Sequence, residues 1–313
     1  MAQDDLTVTE QNIITSVCIC TFRRPQGLRK LLASLAAQHN APPYEVVVVD
    51  NDPDGQAEPV TRAFREDLNL VYVCDPFVCL AGARNRSVRE AKGEFLAFVD
   101  DDETVSPTWL TTMHRVLVEH EAAVVCGPVK ITFEDKVPLA VRGSRIFKRT
   151  RFPNEGESLP WFWAYTGNAY VRRSIMPDPD QPFEVKFGRT GGEDVDCFRK
   201  IHDAGGRLIS AGEGAMVHEF REHDRANYRW ILRRSIRNGG NLADMQWKGF
   251  SPLQKIRMSA GAMYKTALYS WQAFRASNKD AHHFVERTID AGEQLGRALS
   301  VLGYRYPEYG SRK

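Results

Sequence analysis

Five apolar residues, Phe95-Leu-Ala-Phe-Val99, lead without a break into Asp100-Asp-Asp-Glu103. This stretch restricts the fold more than any other in the chain. A short apolar run bounded by polar residues reads as a buried strand. Adjacent carboxylates at its end repel one another unless a cation or protons neutralise them. Open α/β sheets bind ligands at the carboxyl ends of their strands. Oxygen ligands at the spacing of Asp100 and Asp102 suit Mg2+ or Mn2+. A solvated turn that merely caps the next helix needs fewer acids than stand here.

The same pattern occurs upstream. Val17-Cys-Ile-Cys-Thr21 is strand-like, Glu45-Val-Val-Val-Val-Asp50 is a buried strand ending in an acid, and Leu70-Val-Tyr-Val73 is a third strand. Pro25 opens a helical pattern with Leu28, Leu31, Leu32 and Leu35 on one face. Further helical patterns cover 57–66 and Ala81 to Lys92, the latter stopped by Gly93. Strands alternating with helices predict an α/β fold with a mainly parallel central sheet. Asp50 and Asp100 then share one rim. The 313 residues allow one large domain plus an appendage. A net charge of +2 gives no ground for a nucleic-acid partner. Six scattered cysteines without metal-type pairs point to a reducing compartment. Met1-Ala-Gln-Asp-Asp lacks a signal pattern, and no apolar run approaches the ~20 residues of a membrane span. A cytoplasmic location is expected.

Downstream, Pro107-Thr-Trp-Leu110 begins a helix, and Val124 to Phe133 reads as a strand region with a Gly-Pro bend. Residues 134–160 read as a long, partly mobile loop. The aromatic cluster Trp161-Phe-Trp163 can stack on sugar rings if its faces are exposed. Gly191-Gly-Glu193-Asp194-Val-Asp196 delivers acids to the first turn of a helix whose buried side holds Phe198 and Ile201. The helix dipole favours acids there, so capping is a competing explanation. Leu208 to Ala211 is a further strand, followed by His218.

Thr21-Phe-Arg-Arg-Pro25, Leu31-Leu-Ala-Ser-Leu35 with Gln38, Val46 to Asn51, Ala83-Arg-Asn85 and the Asp100–Glu103 cluster together resemble the opening of family 2 glycosyltransferases. Each piece is weak alone; in this order they are fairly specific. The resemblance implies a GT-A fold, a nucleotide-sugar donor, usually UDP-linked, and a divalent metal at a DxD motif. It implies that Thr21 and Asp50 line the nucleoside pocket, that Arg84 and Asn85 lie by the nucleotide and sugar, and that Asp100 and Asp101 bind the donor. Asp102 would ligate the metal, with His218 as an additional ligand. Thr166-Gly-Asn168 resembles the segment behind the donor sugar, with Gly167 allowing close backbone approach and Trp161 and Trp163 touching sugar or acceptor. Asp194 would be the general base of an inverting transfer, and Glu193 would orient acceptor or donor. The chemistry suits these groups: a divalent ion stabilises charge on a leaving diphosphate, and a carboxylate takes the proton of the attacking hydroxyl.

The segment from Asp224 to Gly239 carries Arg225, Arg229, Arg233, Arg234 and Arg237 among Tyr228, Trp230, Ile231, Leu232 and Ile236. Such a basic amphipathic helix suits an anionic membrane surface. It lacks the full Gln-x-x-Arg-Trp pattern of processive synthases, which favours addition of a single sugar. Residues 252–303 are mostly helical with a basic bias. Gly303 to Tyr309 resembles the tail of succinoglycan-type exopolysaccharide transferases, whose acceptors are glycans on a polyprenyl diphosphate. The expected layout is a leader over 1–13, a GT-A catalytic domain over 14–223 and a helical appendage over 224–313. The enzyme is expected at the inner face of the cell membrane. Two other readings compete. Asp100-x-Asp102-x-Thr104 also fits a DxDxT phosphohydrolase, and a non-catalytic sugar-nucleotide-binding protein would keep the same fold.

Overall fold

A computed structural model describes residues 13–76, 79–147, 152–188 and 190–304, together with Tyr306. Residues 1–12 of the expected leader, residues 148–151 of the expected loop and most of the Gly303–Tyr309 motif therefore lie outside the described residues.

Four strands come first: β1 (Thr15–Thr21), β2 (Tyr44–Asp50), β3 (Leu70–Cys74) and β4 (Phe95–Val99). They are joined by helices α1 (Pro25–Ala36), α2 (Glu58–Ala63) and α3 (Leu80–Glu90). All four strands are parallel, with Val17 beside Val46 and Ala97, and Thr21 beside Asp50. Alternation along the strands fills two layers. Val17, Ile19, Val46, Val48, Ala97 and Val99 face the leucines of α1. Cys18, Leu96 and Phe98 face the other way.

The chain then leaves the simple alternation. A short strand β5 (Glu103–Val105) follows the acidic turn, then helix α4 (Trp109–Glu119), β6 (Val124–Cys126) and β7 (Val129–Phe133). The expected single strand region is thus two strands, and the bend at Gly127-Pro128 sends them into different sheets. Helix α5 (Leu139–Arg142), strand β8 (Asn168–Arg172), helix α6 (Glu193–Asp203), and strands β9 (Leu208–Ser210) and β10 (Val217–Arg221) complete this part. The main sheet runs β3-β2-β1-β4-β8-β6-β9, with β8 antiparallel between β4 and β6. A smaller sheet runs β5-β10-β7.

The described parts of the 134–160 segment are not a free loop. Val137 and Val141 are buried against Ile231, Val285 and Ile289, and Ser158 bridges Ile209. Three long helices follow β10: α7 (Tyr228–Gln246), α8 (Pro252–Ala276) and α9 (Ala281–Ser300). Helices α7 and α9 meet backbone to backbone, because a Cβ at Gly239 or Gly296 would collide with the carbonyls of Glu293 or Ile236. The arginines expected on a solvated face of α7 are only partly there. Arg229 and Arg233 are exposed, whereas Arg237 is buried and Arg234 lies over the Trp230 ring. Among the described residues no helix is long and apolar enough to cross a membrane.

Candidate active site

The carboxyl ends of β1, β2 and β4 bring Thr21, Asp50 and Asp100 to one rim. Three of the residues expected to touch a donor there, Thr21, Asp50 and Asp101, are occupied by the protein itself. Asp50 is fully buried; its Oδ1 accepts from the Asp52 backbone N–H at 2.9 Å, and its Oδ2 from the Ala57 N–H and the Tyr72 hydroxyl, each at 3.0 Å. It holds the turn after β2. Asp101 is buried too, accepting from Thr21 Oγ1 at 2.8 Å and Arg24 Nη1 at 2.7 Å. Thr21 and Asp101 thus tie β1 to the acidic turn instead of facing the cleft.

Asp100 and Asp102 flank Asp101 in the turn after β4, and Asp102 shares Arg24 with it. Asp100 keeps 48% of its side chain exposed. Loss of surrounding water, with Asp102 and Asp194 nearby, still pushes its carboxyl up against the pull of Arg84. Asp102 has the opposite balance. Burial pushes it up, but Arg225, Arg24 and Arg221 outweigh that and hold it below the usual carboxylate range. Arg225, just ahead of α7, donates to Asp102 Oδ2, and Arg24 lies 3.4 Å from the same oxygen.

His218 does not join them. Along β10, Val217 and Glu219 are buried while His218 and Phe220 are exposed, so alternation turns the imidazole to the other face. The inward residue is Glu219, paired with Arg221. Glu219 stands opposite Glu103 on β5, and Glu103 Oε2 accepts from the Asp100 N–H at 2.9 Å. Burial, with Asp100 and Glu219 close by, raises Glu103 well above its ordinary value. Among the described residues no three His, Cys, Asp or Glu side chains gather to cage a metal. Asp100 and Asp102 remain as a two-carboxylate set, the kind that Mg2+ shares with substrate phosphates.

The second acidic motif meets the first through Arg84. Helix α3 carries this arginine into the interior, where it donates to Glu193 Oε1 and lies 3.4 Å from Asp100 Oδ1. Glu193 is buried, and its Oε2 has no hydrogen-bond partner among the described residues. Burial raises Glu193 to about 7, against the attraction of Arg84. Asp194, one residue on, is half-buried, and its Oδ1 accepts from the Val195 N–H at 2.8 Å. Gly191 and Gly192 precede the pair with φ of 72° and 100°, in the left-handed region that glycine favours. Asp196 supports the helix, pairing with Arg199 at 2.8 Å and Lys200 at 3.1 Å.

Other expected contacts belong to the scaffold. Asn85 exchanges two hydrogen bonds with the Phe183 backbone, at 2.8 and 2.9 Å. Asn168 is fully buried, accepting from Trp109 Nε1 and donating to the carbonyls of Pro128 and Ala215. Both amides are therefore unavailable to a sugar. Gly167 does mark a close approach, but to the Tyr165 ring and Glu103. Trp161 and Trp163 pack against the core on the α6 side, and Phe162 between them is the exposed ring. Sequence reasoning missed Arg24, Arg221 and Glu219. The doubled arginine after β1 was the available signal for Arg24; β10 offered none.

The profile of glycosyl transferase family 2 matches residues 16–176. The succinoglycan biosynthesis protein ExoM of Rhizobium meliloti is 35% identical over 304 residues, covering 94% of this chain and 95% of that protein. The chain belongs to glycosyltransferase family 2. Its fold agrees. A mannosyltransferase from Pyrobaculum calidifontis, solved with GDP-Man and Mn2+, superposes with a TM-score of 0.62 at 18% identity, covering 95% of this chain and 89% of that one. S. aureus TarS with UDP-GlcNAc gives 0.56 at 18% identity, over 91% and 92% of the two chains. This glycosyltransferase therefore has the GT-A architecture with a helical C-terminal region. The phosphohydrolase and non-catalytic readings are not favoured.

Proposed function

We propose that this transferase inverts configuration while moving a hexose from a nucleotide sugar, UDP-linked in the simplest case, to a growing glycan or a polyprenyl-diphosphate-linked oligosaccharide at the membrane face. The observation that supports this best is the Arg84 guanidinium, which joins Asp100 at the end of β4 to Glu193 at the start of α6. Two acidic motifs far apart in sequence thereby meet at one guanidinium. Asp194 takes the proton of the acceptor hydroxyl, whose oxygen attacks the anomeric carbon as the nucleoside diphosphate leaves from the opposite face. Glu193, fixed by Arg84, positions that base. Asp100 and Asp102 would hold Mg2+ or Mn2+, which stabilises charge on the departing diphosphate. Thr21 and Asp50 shape the rim from beneath. The relative named for succinoglycan biosynthesis supports the polysaccharide setting, and neighbours solved with UDP-GlcNAc and GDP-Man support a nucleotide-sugar donor.

Calorimetric titration of a panel of nucleoside diphosphate sugars, with Mn2+ or Mg2+ and again with EDTA, tests the reading. Binding of one UDP-sugar that EDTA abolishes is expected. A folded protein that binds no member would overturn it.

A further inference from the structure

Helix α8 has its sides reversed relative to a helix docked on a core. Its inward side is a row of small or polar residues: Ala262, Ala273 and Ala276 are buried, and Ser259 Oγ donates to the Ala298 carbonyl of α9 at 2.9 Å. Its outward side carries Leu253, Ile256, Met263, Tyr264, Trp271 and Phe274, all exposed, from 50% for Met263 to 78% for Phe274. At 100° per residue these six fall within roughly 100° of the helix circumference, opposite the alanines. Ala260 and Ala267, also exposed, fall within the same outward stripe. Exposed apolar side chains standing singly need no explanation, but a continuous stripe does.

Charge identifies the occupant. From Pro252 to Ala276 there is no acidic residue, while Arg257 and Arg275 flank one edge of the stripe and Lys265 lies beyond them. A second copy laid on this face would bring like charges together. An anionic lipid surface would accept both the apolar stripe and its basic edge. The Arg275 guanidinium lies 4.9 Å from the Trp271 ring centroid. At that end a recess is lined by Trp271, Gln272, Arg275, Lys279, Asp280 and His283. Its one acid, Asp280, already accepts from the His283 N–H at 2.9 Å.

We propose that α8 lies flat in the headgroup region of an anionic bilayer, apolar stripe inward, over its length of about 37 Å. The contact surface is thus α8, not the arginines of α7 that the sequence suggested. This deepens the membrane part of the proposed function, and its test needs neither donor nor acceptor, so its failure leaves the transferase reading standing.

The full chain is sedimented with vesicles of phosphatidylcholine alone and of phosphatidylcholine with about 30% phosphatidylglycerol, the anionic lipid supplying the surface potential. Binding to the anionic vesicles only, weakened by salt, is expected. Trp271→Ser with Phe274→Ser should reduce partitioning by about tenfold or more, and Arg257→Glu with Arg275→Glu should remove the anionic preference. Circular dichroism reports whether each variant keeps its helices. Absence of anionic-vesicle binding by the wild-type chain, or unchanged binding by both folded variants, would overturn the proposal. So would a wild-type dimer in sedimentation equilibrium that the Trp271 and Phe274 changes dissociate, since a second copy would then cover the face.

Discussion

Asp194 and Glu193 are adjacent yet live in different surroundings, and their substitutions should fail differently. Asp194→Asn removes a proton acceptor without changing shape. It should lower kcat by about 10²–10⁴-fold while calorimetric donor affinity stays the same. Near-normal turnover would take Asp194 out of the role. Glu193 is buried and raised from 4.5 to about 7. An acid raised on folding binds more protons in the folded state than in the unfolded state between those two values. Its contribution is complete below the lower value and is lost as pH rises through the upper one. The melting temperature should therefore fall between about pH 4.5 and about pH 7, and Glu193→Gln should flatten that fall. An unchanged slope would mean that Glu193 stays ionised beside Arg84. The slope should not vanish, because Asp100, Glu103 and Glu219 are raised as well. That acids gather here was legible, since apolar runs ending in Asp are visible in the letters. Which polar side chains the interior claims was not. Asn85, Asp101 and Asn168 carry the same groups a ligand site would use, and only their partners, distant in sequence, show them to be scaffold.

Helix α6 starts where two glycines adopt positive φ, and this turn aims the Glu-Asp pair at Arg84. Gly192→Ala would place a Cβ in a backbone conformation that costs an L-residue about 1–2 kcal/mol. It should lower the melting midpoint by about 2–5 °C and reduce kcat more than donor affinity. A variant with a normal midpoint and normal kcat would show that the turn relaxes freely. The leucine spacing of α1, the alternating strand and helix patterns up to β4 and the start of α6 were readable from periodicity. The small sheet was not. On β10 the inward set is Val217, Glu219 and the partly exposed Arg221, so that face contains two charges and hydropathy favours neither side. His218 was assigned to the wrong face for that reason. On α7, four arginines suggested a solvated surface, but burial of Arg237 and the stacking of Trp230 on Phe147 tie the helix to the body.

The C-terminal region meets the acidic motifs at two places: Asn241 of α7 donates to the Gly191 carbonyl at 3.1 Å, and Arg225, just ahead of α7, donates to Asp102. Arg225 neutralises Asp102, the residue proposed to hold the metal. Replacing it with Gln leaves Arg24 as the one arginine among the described residues within 4 Å of that carboxylate, so apparent Mn2+ affinity without donor should rise by about 3-fold or more by calorimetry. Unchanged affinity would argue against Asp102 as a ligand. The main sheet has a consequence of a different kind, concerning the order in which the ribosome delivers it. Strand β4 borders β1 on one side and β8 on the other, yet β6 is synthesised before β8. Until residue 172 has emerged, β4 and β6 each present an open edge, and the two cannot pair with each other in the native arrangement. Unpaired edges recruit other chains. A split or permuted version cut between residues 99 and 168 should therefore aggregate, whereas one cut after β10 inherits a sheet whose strands are all already made.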